Sequence, residues 1–250
     1  MPRRHDIDRL LNEWPYRPGE VSARLVKAAD GRQVLQMRVE MGVLQMEIHD
    51  RPDAQHPGGA DTYFEYLQNL SLHEGEAFEL TPEQCVAADR EFLQFYHRRI
   101  CWLALREFKR AIQDADHSLK FMDFVREHSP DEQWTLSHEQ YRPFVLFHRT
   151  QAAALEALEE EDGGPEAAID QINVGLNSFR AIFEEYEAED QFEEDELVER
   201  LFDLRDALRK QYNLQPTLSE RLAEAISQEK YELAAKLRDE IHRRTTARRS

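Results

Sequence analysis

The sequence predicts a mainly α-helical chain with a small N-terminal antiparallel β region (α+β), a helical-repeat-like body and a C-terminal helical hairpin. Three observations carry this prediction. Apolar and polar residues alternate with period two only between residues 21 and 48, which is the spacing of half-buried strands. Beyond residue 60 the apolar spacing becomes helical, and from Glu83 to His128 neither Gly nor Pro intervenes. Helix boundaries are also marked chemically, by Thr81-Pro82 and Thr217 as starts and by Asn213-Leu-Gln-Pro216 as a stop.

Composition narrows the function classes. A chain of 250 residues fits one large domain or two modest ones. With 41% hydrophobic and 10% aromatic residues, the chain is too apolar for general disorder. The 50 Asp+Glu against 32 Lys+Arg give a formal net charge of −18, which argues against general binding to a phosphate backbone, where Lys and Arg must displace counterions. Cys85 and Cys101 are too few for a disulfide framework or a zinc site, and small buried apolar roles are expected for both. No apolar run reaches 18 residues, and Met1-Pro-Arg-Arg-His-Asp-Ile-Asp has no apolar core segment. Neither a membrane-spanning helix nor a signal peptide is expected, and the expected location is the cytoplasm.

The first region, residues 1–60, opens with a short helix over 5–20, in which Ile7, Leu10, Leu11 and Trp14 share a side before Pro15 and Pro18. Val21 to Ala28 and Gln33 to Ile48 read as strands joined by the turn Ala29-Asp30-Gly31-Arg32. Gly42 interrupts the second run and marks a bulge or a second bend, so three strands are expected. The segment from Asp50 to Gly59 is rich in Pro and Gly and reads as a loop.

Residues 61–188 form the body. Thr81 caps a helical stretch that runs to His128 as one long helix or two. Tyr141–Glu161 and Glu166–Tyr186 follow as further helices, separated by Asp162-Gly-Gly-Pro165. Phe92-Leu-Gln-Phe95 with His97-Arg98 is echoed by Phe144-Val-Leu-Phe147 with His148-Arg149. Phe108-Lys-Arg-Ala-Ile112 is likewise echoed by Pro165-Glu-Ala-Ala-Ile169. These pairs resemble degenerate tetratricopeptide repeats, in which one helix pair stacks on the next. The first helix departs from that pattern, with Arg99 at the site of the expected small residue.

Residues 189–213 read as an acidic helix with Leu197, Leu201, Leu204 and Leu208 in a 4-3-4 seam of coiled-coil type. Residues 214–250 then read as two short amphipathic helices and a basic tail. Leu218, Leu222, Ala225 and Ile226 share a face of the first, and Tyr231, Ala234, Ala235, Arg238 and Ile241 share a face of the second. The Ala-Ala pair is expected to admit close helix approach, Tyr231 to cover the end of the hairpin, and Glu232 to pair with Lys236.

The run Tyr231-Glu232-x-Ala234-Ala235-x-Leu237-Arg238-Asp239-x-Ile241 resembles the UVR motif, the helical hairpin shared by UvrB, UvrC and some partners of bacterial Clp proteases. The family usually carries Phe where this chain has Tyr231, and often a charged residue where it has Leu233. The resemblance implies no chemistry. It implies docking of another UVR hairpin, a partner such as UvrB, UvrC or a Clp-type protein, or a second copy. The partner-binding residues it suggests are Leu218, Leu222, Ile226, Tyr231, Glu232, Ala234, Ala235, Leu237, Arg238, Asp239 and Ile241. The remaining chain has no Gly-Lys pair and so no phosphate-binding P-loop, nothing like the UvrC nuclease, and no paired Cys-x-x-Cys of McsA-type adaptors. The sheet-plus-helices arrangement resembles other bacterial UVR-containing proteins, for which membership implies no activity.

Other chemistry is weaker. Asp114-x-x-His117 puts a carboxylate and an imidazole one turn apart, but a di-metal bundle needs two such motifs, and a solvated face is expected. His49 and His56 flank the loop without a recognisable nucleophile, and Arg51-Pro52-Asp53 reads as an ordinary turn. The expectation is a non-enzymatic interaction adaptor without cofactor or metal. The alternative is an excision-repair accessory factor that touches DNA through Arg243, Arg244, Arg248 and Arg249. Charge placement sharpens the choice: residues 155–203 carry a net −16, whereas residues 204–250 carry +4. Only the tail is a candidate for nucleic acid, and no membrane partner is expected.

Overall fold

The computed structural model of the chain describes residues 6–75, 78–160 and 163–247. Two compact units are present, one ending at Ala152 and the other beginning at Ala153. The boundary falls inside the stretch read from sequence as a single helical body.

The first unit starts with α1 (Asp8–Glu13) and three strands, β1 (Ser22–Lys27), β2 (Gln33–Val39) and β3 (Gly42–Glu47). They form one antiparallel sheet in the order β1-β2-β3, as the period-two alternation predicts. Gly31 turns the first hairpin at φ 91°, a conformation that a Cβ would penalise. The interruption at Gly42 is the second bend, not a bulge. Register aligns Leu25, Leu35 and Met46 in one row and Arg24, Gln36 and Gln45 in the next. Leu35 and Met46 are buried, and a helix, α3 (Pro82–Ala104), packs against β1 and β2. The polar row satisfies itself, with Arg24 Nη2 donating to Gln36 (2.9 Å) and Gln36 Nε2 to Gln45 (3.0 Å).

Four more helices complete this unit's described chain: α2 (Tyr63–Glu74), α4 (Phe108–His128), α5 (Glu132–Glu139) and α6 (Arg142–Glu159), the last running past the boundary. Thr81 caps α3 in a reciprocal capping box with Gln84. The Gly- and Pro-free run is two helices. Arg106 takes the left-handed conformation (φ 60°), its N–H donates to Leu103 O (3.1 Å), and the Glu107 N–H donates to Trp102 O (2.9 Å). That pair of bonds is a Schellman stop with arginine in the usual glycine position. The core between α2, α3 and α4 is built from Phe64, Leu67, Leu80, Phe121 and Val125. The short α5 is capped by Asp131, which accepts from the Gln133 N–H (3.0 Å), and Asp89 Oδ1 on α3 holds it by accepting from Trp134 Nε1 (2.9 Å) and bonding His138 Nε2 (2.8 Å).

Charged residues read from sequence as solvated or as turn residues are instead inside this unit. Asp114 is buried and takes a two-fold bond from Arg98, at 2.9 and 2.7 Å. Arg98 also donates to Asp50 O (2.8 Å) and Glu47 O (3.2 Å), which fastens the end of β3 to the helices. Glu91, 0% exposed, accepts from the Tyr63 and Phe64 N–H groups that open α2 (2.7 and 3.0 Å), where the helix dipole favours a carboxylate. His117 Nε2 lies 3.1 Å and Arg51 Nε 3.3 Å from Glu91, and Arg51 also faces Asp53 at 3.3 Å. The Asp114-x-x-His117 pair is therefore a structural connection between elements, not a solvated face, and Arg51 is a buried tether, not an ordinary turn residue. Cys85 and Cys101 are free and buried.

The second unit contains α7 (Pro165–Glu185), a 3-10 turn (Glu189–Glu194), α8 (Glu196–Tyr212), α9 (Leu218–Ser227) and α10 (Tyr231–Ala247). Helices start at Phe108 and Pro165, but in different units, and tetratricopeptide-type stacking of helix pairs is not shown. In α8 the buried set is Val198, Leu201 and Leu208, while Leu197 and Leu204 are half-buried. Its apolar stripe is thus broader than a two-position seam and packs on α7 and the 3-10 turn. Phe192 sits under that turn, meeting Phe183 and Phe202 edge-on at 5.7 and 6.2 Å. The acidic side chains Glu184, Glu187, Glu193 and Glu194 are exposed. Among the described residues no helix is long and apolar enough to cross a membrane.

Candidate partner-binding hairpin

The hairpin begins where α8 is stopped. Asn213 adopts the left-handed conformation (φ 51°, ψ 47°), and the Leu214 N–H donates to Arg209 O at 3.0 Å. Thr217 then opens α9 with a reciprocal capping box. Its Oγ1 accepts from the Glu220 N–H (3.3 Å), and its own N–H donates to Glu220 Oε2 (2.8 Å). Glu220 also receives a bond from Arg209 Nη2, and Arg205 Nη1 lies 3.9 Å away. Arg205 in turn donates to Asn173 Oδ1 on α7 at 3.2 Å. Burial alone would raise the Glu220 pKa. The Thr217 N–H, the Arg209 guanidinium and Asn173 outweigh it and hold the group below the usual carboxylate range. One carboxylate thus starts α9 and ties it to α8. The sequence marks Thr217 as the cap, and the signal for its partner Glu220 is the Thr-x-x-Glu spacing.

The turn between the helices is another Schellman stop. Glu229 sits at φ 56°, with bonds from its N–H to Ile226 O (3.0 Å) and from the Lys230 N–H to Ala225 O (2.8 Å). Glutamate in this conformation costs on the order of 1 kcal/mol, which glycine would avoid.

Inside the hairpin, Ala225 of α9 meets Ala234 and Leu237 of α10, with Leu218 and Leu222 partly buried against them. Ile241 is half-buried one turn further on. The close helix approach comes from Ala225 and Ala234; Ala235 is exposed and lies on the neighbouring stripe. That outer stripe runs Tyr231, Ala235, Arg238, His242, at helical spacing and exposed throughout. Tyr231 is 67% exposed, so it does not cover the end of the hairpin as the sequence suggested. Ile226 at 54% and Leu233 at 42% leave further apolar surface open.

Glu232 and Lys236 form no ion pair among the described residues; Arg238 pairs instead with Asp239, its own neighbour, at 3.0 Å. Arg243 Nε donates to Asp239 O (3.3 Å), while Arg248 and Arg249 of the basic tail lie outside the described residues.

The suggested site residues therefore separate into two groups. Leu218, Leu222, Ala234, Leu237 and Ile241 build the hairpin. Ile226, Tyr231, Glu232, Ala235, Arg238 and Asp239 face out. Leu233 belongs with the second group, and its apolar character was the sequence signal for it. Nothing in this arrangement supplies a nucleophile and base in reach of one another, and among the described residues no cluster of His, Cys, Asp and Glu could hold a metal ion.

Residues 213–243, the span from the Asn213 stop to Arg243, match the family model of the UvrB/uvrC motif. No curated protein and no solved structure matches the chain.

Proposed function

We propose that the chain is a non-enzymatic adaptor of the cytoplasm, whose UVR hairpin docks a second helical hairpin on a partner protein. The observation that carries this reading is the direction of the apolar side chains on the hairpin. It satisfies its own interior with two alanines and a leucine, while Ile226, Tyr231 and Leu233 remain open. Tyr231 and Leu233 lie about 200° apart around α10 and so flank its inner stripe on either side. Exposed apolar residues among Glu232, Lys236, Arg238 and Asp239 are what helix-in-groove and hairpin-to-hairpin docking uses. The motif match supports the same reading, because UVR segments serve interactions in DNA-repair and Clp-associated proteins. Direct DNA contact by the hairpin's outer surface is disfavoured, since Arg238 is paired with Asp239.

The test compares the intact chain with the double variant Tyr231→Ser, Leu233→Ser. Both side chains are exposed, so the circular-dichroism spectrum and melting temperature should stay unchanged while proteins captured from a lysate of the source cell are lost. Retention of the same captured proteins by the double variant would overturn the assignment of this face. A salt-sensitive anisotropy change with duplex DNA would favour the repair factor instead.

A further inference from the structure

The first unit holds a cleft of about 640 Å³ that the proposed docking role does not use. One wall is a single face of α3, on which Asp89, Phe92, Tyr96 and Arg99 follow one another at helical spacing. The other walls come from Ser118 and Met122 on α4, His138 on α5, Tyr141, and Phe144 and Val145 on α6. The cleft is open to solvent on one side, where Leu93 and Tyr141 are more than half exposed. Its volume is in the range of sites that take small organic ligands.

Its surface is predominantly apolar, and the charge is concentrated at its two ends. Arg99 is 2% exposed and has only neutral partners: its Nη1 donates to Ser118 Oγ (3.1 Å) and its Nε to His148 Nδ1 (3.4 Å). Ser118 is fully committed, because its hydroxyl donates to Asp114 O at 2.9 Å. Among the described residues no carboxylate forms an ion pair with Arg99, whose bonds run to the neutral Ser118 and His148. The carboxylate acting on it most strongly, Asp114, is already held two-fold by Arg98. Burial pulls the Arg99 pKa down to about 10, still far above neutrality, so the guanidinium is charged at physiological pH. Such a charge is normally matched by a buried counter-charge.

Asp89, the acid at the other end, is ten residues away along α3, about 15 Å at 1.5 Å per residue. Its carboxylate is taken up by Trp134 and His138. Between the two lie Phe92, Tyr96 and the facing Phe144, which offer an apolar path of that length.

We propose that this cleft binds a small amphipathic carboxylate, whose head group pairs with Arg99 and whose apolar body lies along α3 toward Asp89. A monoanion fits better than a phosphate dianion, because a single guanidinium faces the cleft and matches one negative charge. Specificity then comes from two features: the buried cation rejects neutral and cationic heads, and the Phe92–Tyr96–Phe144 stretch requires an apolar body of roughly eight to twelve carbons.

Isothermal titration of the full chain with decanoate, decanol, decylamine and decyl phosphate, all below their aggregation concentrations, tests this. Decanoate should bind one to one and raise the melting temperature, with the other three at least tenfold weaker. Arg99→Met, which removes the charge and keeps the bulk, should weaken decanoate at least tenfold without lowering the melting temperature of the free protein. Leu93→Trp at the exposed rim keeps the test decisive if Arg99→Met does not fold: it should weaken decanoate by narrowing the entrance. Absence of decanoate binding, equal binding of decanol, or undiminished binding by Arg99→Met would each overturn the proposal. Preference for decyl phosphate would overturn the carboxylate assignment.

Discussion

The α3–α4 interior and the α9–α10 hairpin invert the ordinary placement of residue types. Between α3 and α4 the charged groups are inside, with Glu91, Arg98 and Asp114 all buried. On the hairpin the large apolar groups are outside, with Ile226, Tyr231 and Leu233 exposed around a small core of alanine and leucine. In the first region Glu91, Arg98 and Asp114 each meet an opposite charge from another segment, whereas Arg99 meets only neutral groups, so polarity fixes how most of these elements sit together. In the second, intrachain packing is light, and the surface left over is apolar. Residue type alone assigns neither role. What separates a side chain that joins elements from one that meets a partner is whether its potential is already satisfied within the chain.

Three experiments bear on that contrast. The largest effect is expected from Glu91→Ala, which leaves Arg51 and two opening N–H groups of α2 without their acceptor. Unfolding free energy should fall by about 3–5 kcal/mol. Urea denaturation followed by tryptophan fluorescence measures it well, since Trp14, Trp102 and Trp134 all lie in the first unit. A loss below about 1 kcal/mol would mean that these charges decorate the packing and do not hold it.

Leu237→Ala empties the hairpin core and should cost about 2 kcal/mol. Hydrogen exchange of α9 and α10 amides should quicken while the tryptophan transition stays in place. The smallest effect belongs to the turn: Glu229→Gly relieves a left-handed glutamate and should stabilise the hairpin by up to about 1 kcal/mol, seen as slower exchange of the same amides.

Much of this architecture is legible in the sequence, and the exceptions have physical causes. The three strands, the Asp30-Gly31 turn and the caps at Thr81 and Thr217 follow from period and local chemistry, which one segment suffices to specify. The break between α3 and α4 does not, because the left-handed residue is Arg106, where only glycine would have announced it. The same holds for Glu229. Asp114 and His117 have identical spacing whether their face meets water or Arg98 and Glu91, so their burial is a property of the packed unit. Choosing between Ala234 and Ala235 as the inward residue is a matter of about 100° of helix rotation. An Ala-Ala pair leaves that choice to Ala225 and Leu237. At the hairpin the membership of the motif was readable, and the division of its residues into builders and outward-facing side chains was not.

The Glu220 carboxylate gives the hairpin a property beyond its surface. Because the same group starts α9 and grips Arg209, the first turn of the hairpin and its attachment to α8 form or fail together. A partner therefore meets a hairpin already oriented and loses little conformational freedom in engaging it. Pulling the hairpin away from α8 would also fray its leading helix. Acid has the same consequence. The depressed Glu220 pKa contributes stability that is full above the ordinary carboxylate value and disappears as pH falls through the lower folded value. Acidification through and below the ordinary carboxylate range should therefore loosen the attachment and the helix start in one step, acting as a latch that releases its own hinge.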